Sequence, residues 1–217
     1  MKQIDCYFDF ISPYAYLAFE QLPRALQDAG SYAVAYKPVV FGALLKAHGQ
    51  LGPAEIAAKR DWTSRHVSWL AREHGIALRH PATHPFNPLG VLRLALACGS
   101  VGDDRLPNRH VCRAIFEHVW QSGLDAADPQ RLAVLQQRLK PARNPQDGAI
   151  KTQLRALTEE AVALGIFGVP SFVVDERLFW GFDALAMLRA YLLGDDWFAP
   201  MHWDEMADRP LGTQRRR

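Results

Sequence analysis

The residues with the clearest chemical potential lie near the start of the chain, in residues 9–14, which read Asp-Phe-Ile-Ser-Pro-Tyr. An apolar run over residues 4–10 predicts a strand, and the apolar periodicity of residues 15–26 predicts a helix. Pro13 suits the first helical position, because its missing N–H is not needed there. Ser12 is then the N-cap, so its hydroxyl lies at the positive end of the helix. This position could hold a thiolate or another anion, although a serine in this setting is more often a helix cap alone.

A second motif lies far along the chain, in residues 167–174, which read Phe-Gly-Val-Pro-Ser-Phe-Val-Val. The β-branched and aromatic residues after Pro170 predict a core strand. Proline cannot donate to a β-ladder, so Pro170 is expected at the start of that strand. The sequence leaves open whether the peptide bond between Val169 and Pro170 is cis or trans.

The residues after this strand predict a hairpin and a last helix. Residues 175–177 are a polar turn, residues 178–180 form a second short strand, and Gly181 interrupts it. Phe182 and Asp183 then open a helix with apolar residues at helical spacing. Asp183 is either a helix cap or an anchor for an ammonium group.

The two ends of the chain together resemble a thioredoxin-like fold, in which the first strand and helix carry the active-site turn and the Val-Pro loop faces it. The middle of the chain has apolar stripes at helical spacing and predicts a large all-helical insertion. One of these stripes, expected to be core, comprises Trp62, His66, Trp69 and Leu70. The predicted class is α/β, with a discontinuous thioredoxin-like domain of residues 1–40 and 166–195, a helical insertion domain of residues 41–165, and a C-terminal tail of residues 196–217.

Composition argues against several classes of partner. The chain has 217 residues, of which 49% are hydrophobic and 22% charged, as is typical of a soluble globular protein. The net charge of +2 is too small to argue for nucleic-acid binding. No apolar run approaches the roughly 20 residues that span a bilayer, so no membrane partner is expected. The first residues lead directly into the predicted strand without a signal peptide, which favours a cytoplasmic location.

Three cysteines, Cys6, Cys98 and Cys112, show no spacing typical of a disulfide framework and are expected to be buried. The turn at Ser12 has no C-x-x-C pair, so dithiol exchange there is excluded and any thiol must come from a ligand. The histidines His80 and His84 are not at helical ligand spacing, so we expect no metal site. No glycine-rich loop suited to a nucleotide is present either.

The chain resembles the 2-hydroxychromene-2-carboxylate isomerases, which group with the kappa-class glutathione transferases and DsbA-like proteins. The resemblance extends from about residue 3 to about residue 193. The blocks that carry it are residues 8–16, 37–39, 58–60, 85–89, 158–161, 165–172 and 179–183.

This resemblance implies glutathione as the cofactor and assigns residues to it. Ser12 would hydrogen-bond the glutathione sulfur and favour its thiolate, because a donor to the charged form lowers a pKa. The backbone of Val169, before Pro170, would pair with the cysteinyl backbone in a strand-like manner. Asp183 would bind the γ-glutamyl ammonium group.

Further positions are implied for the substrate. Lys59 would lie near the site and bind glutathione or a substrate carboxylate, with a solvated helix face as the equal alternative. Asn87 would lie near the substrate pocket, unless it is only a turn residue. Tyr14 and Phe41 are expected pocket walls, with core packing as the competing interpretation.

Two positions depart from the family pattern. Phe182, which would adjoin glutathione, stands where a polar residue is usual, and this change removes a side-chain contact to the cofactor. Gln50 stands where an asparagine is usual. Both changes bear on which substrate the protein binds more than on its fold.

The resemblance implies that glutathione thiolate adds to an unsaturated aryl-pyruvate, the former double bond rotates, and elimination restores it. The activity would interconvert a cyclic hydroxychromene carboxylate and its open benzylidenepyruvate isomer in aromatic catabolism, with a small aromatic acid as substrate. One alternative is a kappa-like glutathione transferase or peroxidase, and another is a non-catalytic thioredoxin-fold binding module. Because the family often forms dimers, a homodimer is expected.

Overall fold

The computed structural model describes residues 1–99, 105–199, 202, 203 and 205. Within this part of the chain, four strands form one sheet and eight α-helices surround it. The strands are β1 (Lys2–Phe8), β2 (Tyr32–Pro38), β3 (Ser171–Val174) and β4 (Arg177–Trp180). The helices are α1 (Pro13–Ala25), α2 (Phe41–Ala47), α3 (Ala57–Glu73), α4 (Leu89–Ala97), α5 (Arg109–Trp120), α6 (Pro129–Leu139), α7 (Gly148–Ala163) and α8 (Leu185–Leu192).

The sheet has the strand order β2-β1-β3-β4. Strands β1 and β2 are parallel, as expected of two strands joined by the crossover helix α1. Strand β3 runs antiparallel to β1, with Cys6 opposite Phe172, and β4 closes the hairpin with Phe179 opposite Phe172. The predicted α/β, thioredoxin-like fold with a helical insertion is therefore confirmed.

The insertion comprises helices α2 to α7, which lie between β2 and β3 in the chain. Its core is continuous with that of the sheet: the Phe116 ring of α5 lies 5.6 Å from Phe8 of β1 and 5.8 Å from Tyr16 of α1. All three side chains are buried. The boundaries of the two predicted domains remain a prediction.

Polar contacts tie β2 to α7. The Lys37 ammonium group lies 2.8 Å from Glu160 and 2.7 Å from Asp5. The Thr158 hydroxyl accepts a hydrogen bond from the Val40 N–H, just before α2. Two of the sequence blocks that carry the family resemblance, residues 37–39 and 158–161, therefore meet in space.

Several local predictions need correction. Strand β1 ends at Phe8 rather than residue 10, because the Asp9 side chain accepts from the Ile11 N–H and turns the backbone there. The last helix begins at Leu185, and its N-cap is Ala184 rather than Asp183.

Trp62 and Trp69 of α3 do not belong to the core. Their side chains are 64% and 51% exposed, whereas Leu70 of the same predicted stripe is buried. The predicted apolar stripe of α3 is therefore only partly buried.

Most of the predicted C-terminal tail lies outside the described residues. Its described start is a short 3-10 helix, Asp196–Phe198. Phe198 is buried, and its ring lies 5.2 Å from Tyr191 of α8. Among the helices of the described residues, none has the length and apolar character needed to cross a membrane.

Candidate functional site

Ser12 joins the start of α1 to the loop before β3. Its hydroxyl accepts a hydrogen bond from the Ala15 N–H at 3.2 Å, as an N-cap does, and donates to the Val169 carbonyl oxygen at 3.3 Å. Pro13 occupies the first turn, as the sequence predicts. Ser12 is only 6% exposed. A donor hydroxyl at the positive end of a helix of 13 residues is suited to hold an anion.

The loop facing Ser12 contains a cis peptide bond between Val169 and Pro170. Pro170 lies immediately before β3, as predicted. Its carbonyl accepts from the Gly181 N–H at 2.9 Å, so the loop is linked to the segment that leads into α8.

Asp183 is exposed and lies two residues before α8. Gly181 has a φ of +103°, and a Cβ there would lie 2.5 Å from the Asp183 carboxylate. A side chain at position 181 would therefore displace the Asp183 carboxylate or strain the backbone. The Phe182 ring is half-buried and packs edge-on against His74 at 5.1 Å. It offers a ligand no hydrogen bond from its side chain.

Asp9 is fully buried below the turn. One carboxylate oxygen accepts from the Ile11 N–H at 3.1 Å and the other from the Phe41 N–H at 3.0 Å. Burial raises the pKa of Asp9 to about 7, against the opposing effect of these N–H groups. Phe41 thus approaches the turn through its backbone, and its partly exposed ring packs against the core.

Two side chains from the insertion bind the carbonyl groups of the turn. The Trp120 indole N–H donates to the Phe10 carbonyl at 2.8 Å, and His84 Nε2 donates to the Ile11 carbonyl at 2.9 Å. Burial lowers the pKa of His84, which favours its neutral form. The sequence does not predict these two hydrogen bonds, because no local pattern relates Trp120 or His84 to residues 9–12. It suggests only a metal-ligand role for His84, which was not expected.

Tyr14 lies in the first turn of α1, two residues after Ser12. Its hydroxyl lies 2.9 Å from His66 Nδ1 of α3. Burial raises the pKa of Tyr14, and the nearby Asp183 carboxylate raises it further, whereas the Thr63 hydroxyl lowers it. Tyr14, Asp183 and Ser12 are therefore brought to one end of α1.

The other predicted substrate residues lie on the surface. Lys59 is exposed in the first turn of α3, one helical turn before Thr63 and two before His66. Asn87 is exposed, and its side-chain oxygen accepts from the Leu89 N–H at 3.1 Å, which is ordinary turn geometry. Their predicted roles toward a ligand remain predictions.

The three cysteines are free thiols away from the turn. Cys6 and Cys112 are buried as predicted, whereas Cys98 is partly exposed. Burial raises the pKa of Cys6 to about 12 and that of Cys98 to about 11. These groups are therefore protonated thiols at neutral pH.

Comparisons with known proteins bear on the family and the fold of the chain. A family model described as a DSBA-like thioredoxin domain matches residues 3–193. The chain is 28% identical to a 2-hydroxychromene-2-carboxylate isomerase of Sphingobium xenophagum, over 88% of this chain and 98% of that protein. It is 23% identical to glutathione S-transferase kappa 1 of Homo sapiens, over 92% and 94% of the two chains. A solved 2-hydroxychromene-2-carboxylate isomerase aligns with a TM-score of 0.73 and 24% identity, covering 94% of this chain and 98% of that one.

Proposed function

The chain belongs to the DsbA-like thioredoxin family, and we propose that it is a glutathione-dependent isomerase of aromatic catabolism. Its substrates would be 2-hydroxychromene-2-carboxylate-type cyclic acids and their open trans-o-hydroxybenzylidenepyruvate-type isomers. The observation that carries this proposal is the hydroxyl of Ser12 at the N-terminus of α1, where DsbA-like oxidoreductases would need a cysteine. The isomerase relative, aligned over nearly its whole length, supports the proposed reaction type.

The residues present suit glutathione, which would supply a thiolate that adds to the conjugated double bond of the substrate and later leaves. The Ser12 hydroxyl can stop donating to the Val169 carbonyl oxygen and donate to a sulfur anion instead, because a serine O–H rotates toward the acceptor that is present. The exposed Asp183 carboxylate can bind an ammonium group. The backbone of Val169, before Pro170, can pair with an extended peptide.

The chain's own residues would stabilise charge rather than exchange electrons. Ser12 and the α1 amides hold negative charge at the sulfur position and lower the proton affinity there. Lys59, exposed at the start of α3, would attract the substrate carboxylate. The Tyr14 side chain and the loop around Asn87 would form walls of the aromatic pocket, with Phe41 behind the turn.

A direct assay tests this function. The protein, with and without glutathione, is mixed with the cyclic hydroxychromene acid, and the open isomer is followed by its ultraviolet absorbance. We expect conversion that requires glutathione and falls at least tenfold in the Ser12→Ala variant. Equal conversion without glutathione would contradict the proposed dependence.

A kappa-like transferase or peroxidase is the second candidate, favoured by the similarity to the human kappa enzyme. Both activities would use Ser12, Val169 and Asp183. Product analysis separates them: a transferase leaves glutathione bonded to its electrophile, whereas an isomerase regenerates it.

We also propose that the protein is a cytoplasmic homodimer. Free thiols and the use of glutathione suit a reducing compartment. The homodimer is what the family resemblance implies. Light scattering coupled to gel filtration tests this, and a monomer at micromolar concentration would contradict it.

A further inference from the structure

We propose that Tyr14 and His66 form a proton shuttle that opens and closes the cyclic substrate at this site. This inference rests on the proposed function, and it assigns catalytic roles to two residues that the thiol chemistry does not use. The chemistry includes a proton transfer that such a pair can catalyse. A 2-hydroxychromene is a cyclic hemiketal, so its opening must move one proton from the hemiketal hydroxyl to the ring oxygen.

The geometry of the pair suits this transfer. The Tyr14 hydroxyl lies 2.9 Å from His66 Nδ1, within ordinary hydrogen-bonding distance. Tyr14 is half-buried in the first turn of α1, two residues from Ser12. The shuttle requires a substrate bound at this end of α1, with an oxygen within hydrogen-bonding distance of the phenol.

The surroundings fix the imidazole ring of His66. Its ring lies between the indoles of Trp62 and Trp69, at centroid distances of 5.9 and 6.3 Å and interplanar angles of 18° and 12°. Stacked rings restrain the imidazole plane, so that Nδ1 stays directed at Tyr14.

Tyr14 itself is held in its neutral form. Burial and the Asp183 carboxylate raise the pKa of this phenol. It therefore releases its own proton only while it receives another. This is the behaviour of a relay rather than of a free base.

The proton transfers balance without a further reactant. The Tyr14 oxygen takes the proton of the hemiketal hydroxyl while its own proton passes to His66 Nδ1. The bond between the hemiketal carbon and the ring oxygen breaks, its electron pair stays on the ring oxygen, and the hydroxyl oxygen becomes the keto oxygen. The proton on His66 then returns through Tyr14 to the ring oxygen, which becomes the phenol. Closure is the reverse sequence.

Three variants test the shuttle: Tyr14→Phe, His66→Asn and their combination. General acid–base catalysis contributes about 10²–10⁴-fold, so we expect kcat to fall at least about 30-fold in each single variant. KM and glutathione affinity should change less than threefold. Because the residues act in one relay, the double variant should be about as slow as the single ones. The solvent deuterium isotope effect on kcat should differ between the wild type and the variants, a change that a purely structural role would not produce.

Two further measurements distinguish loss of the proton shuttle from misfolding of the variants. Tyr191→Phe is the matched control, because it removes a tyrosine hydroxyl bonded to Asp175, outside the site; it should leave kcat unchanged. In His66→Ala, added imidazole should restore part of the lost rate, since the space between the two exposed indoles is open to solvent.

The possible results separate the shuttle from the proposed function. The shuttle alone is overturned if kcat is unchanged in Tyr14→Phe. It is also overturned if the variants lose activity only together with glutathione binding. A wild-type protein that binds glutathione but converts neither isomer overturns both proposals. If the fold-loss of kcat in the double variant equals the product of the two single losses, the two residues act independently, and the relay is contradicted.

Discussion

The Ser12 hydroxyl donates to the Val169 carbonyl oxygen across 3.3 Å, although 157 residues separate them in the chain. This contact joins the N-terminus of α1 to the loop before β3. It places a buried hydroxyl, a helix terminus and an extended backbone segment together, and the proposed thiolate site depends on this combination.

The Ser12→Cys variant probes the power of this position to stabilise an anion. Helix N-termini lower the pKa of a cysteine from about 8.5 into a range of about 3.5–7.5. We therefore expect a new thiol that reacts with iodoacetamide at pH 6, with a thiolate absorbance near 240 nm. The wild type is the control, because burial raises the pKa of Cys6, Cys98 and Cys112. A new thiol that titrates at pH 8.5 or above would contradict the anion site.

Asp9 makes stability depend on pH. Its pKa in the folded protein is about 7, above the ordinary 3.8, because burial disfavours the charged form. The folded protein therefore binds more protons than the unfolded chain between these values. The contribution of Asp9 to stability is complete below pH 3.8 and is lost as the pH rises through 7.

The Asp9→Asn variant removes this titration. Between pH 5 and pH 8, the free energy of unfolding of the wild type should fall relative to the variant by roughly 2–4 kcal/mol. Urea unfolding at the two pH values measures this difference. Parallel pH dependence of the two proteins would show that Asp9 does not titrate in this range.

Trp120 is expected to support the turn from the insertion. Trp120→Phe keeps a ring but removes the indole donor and leaves the buried Phe10 carbonyl without this partner. We expect a loss of about 1–3 kcal/mol in the free energy of unfolding, beyond that caused by the smaller ring, together with weaker glutathione binding. Trp197→Phe is the control, since this side chain is 46% exposed and should change stability by less than about 0.5 kcal/mol. Equal effects of the two changes would argue against the role of the indole donor.

Gly181 controls the position of Asp183. In Gly181→Ala, the new methyl group would meet the Asp183 carboxylate at a positive φ, so one of the two must move. If Asp183 binds the ammonium group, glutathione affinity should fall about tenfold, as for a hydrogen bond to a charged group. Gly42→Ala is the matched control: it lies in α2, has open space at its Cβ, and should bind glutathione as the wild type does. Unaltered affinity in Gly181→Ala would remove Asp183 from the proposed site.

Local sequence signals identified the part of the site that local chemistry determines. A serine before a proline, between an apolar run and a helical pattern, predicts the N-cap at Ser12, and the hydrogen bond from Ala15 confirms it. The strand after Pro170 was likewise predicted, because proline at a strand start has a local physical reason.

The long-range part of the site could not be predicted in this way. Nothing near Tyr14 indicates that its partner is His66, and nothing near His84 indicates the Ile11 carbonyl. The exposure of Trp62 was also missed, because an apolar residue at helical spacing is ordinarily counted as core. One signal was available and not used: Asp9 is an acidic residue within an apolar run, which indicates a buried carboxylate with backbone partners.

The most direct test of the central claim is calorimetric titration with glutathione at neutral pH, in two buffers of different ionisation enthalpy. Wild type and Ser12→Ala are compared. The thiolate site predicts saturable binding that releases protons in the wild type, and binding without that release in the variant. Absence of binding up to millimolar glutathione, or equal proton release from both proteins, would contradict the assignment.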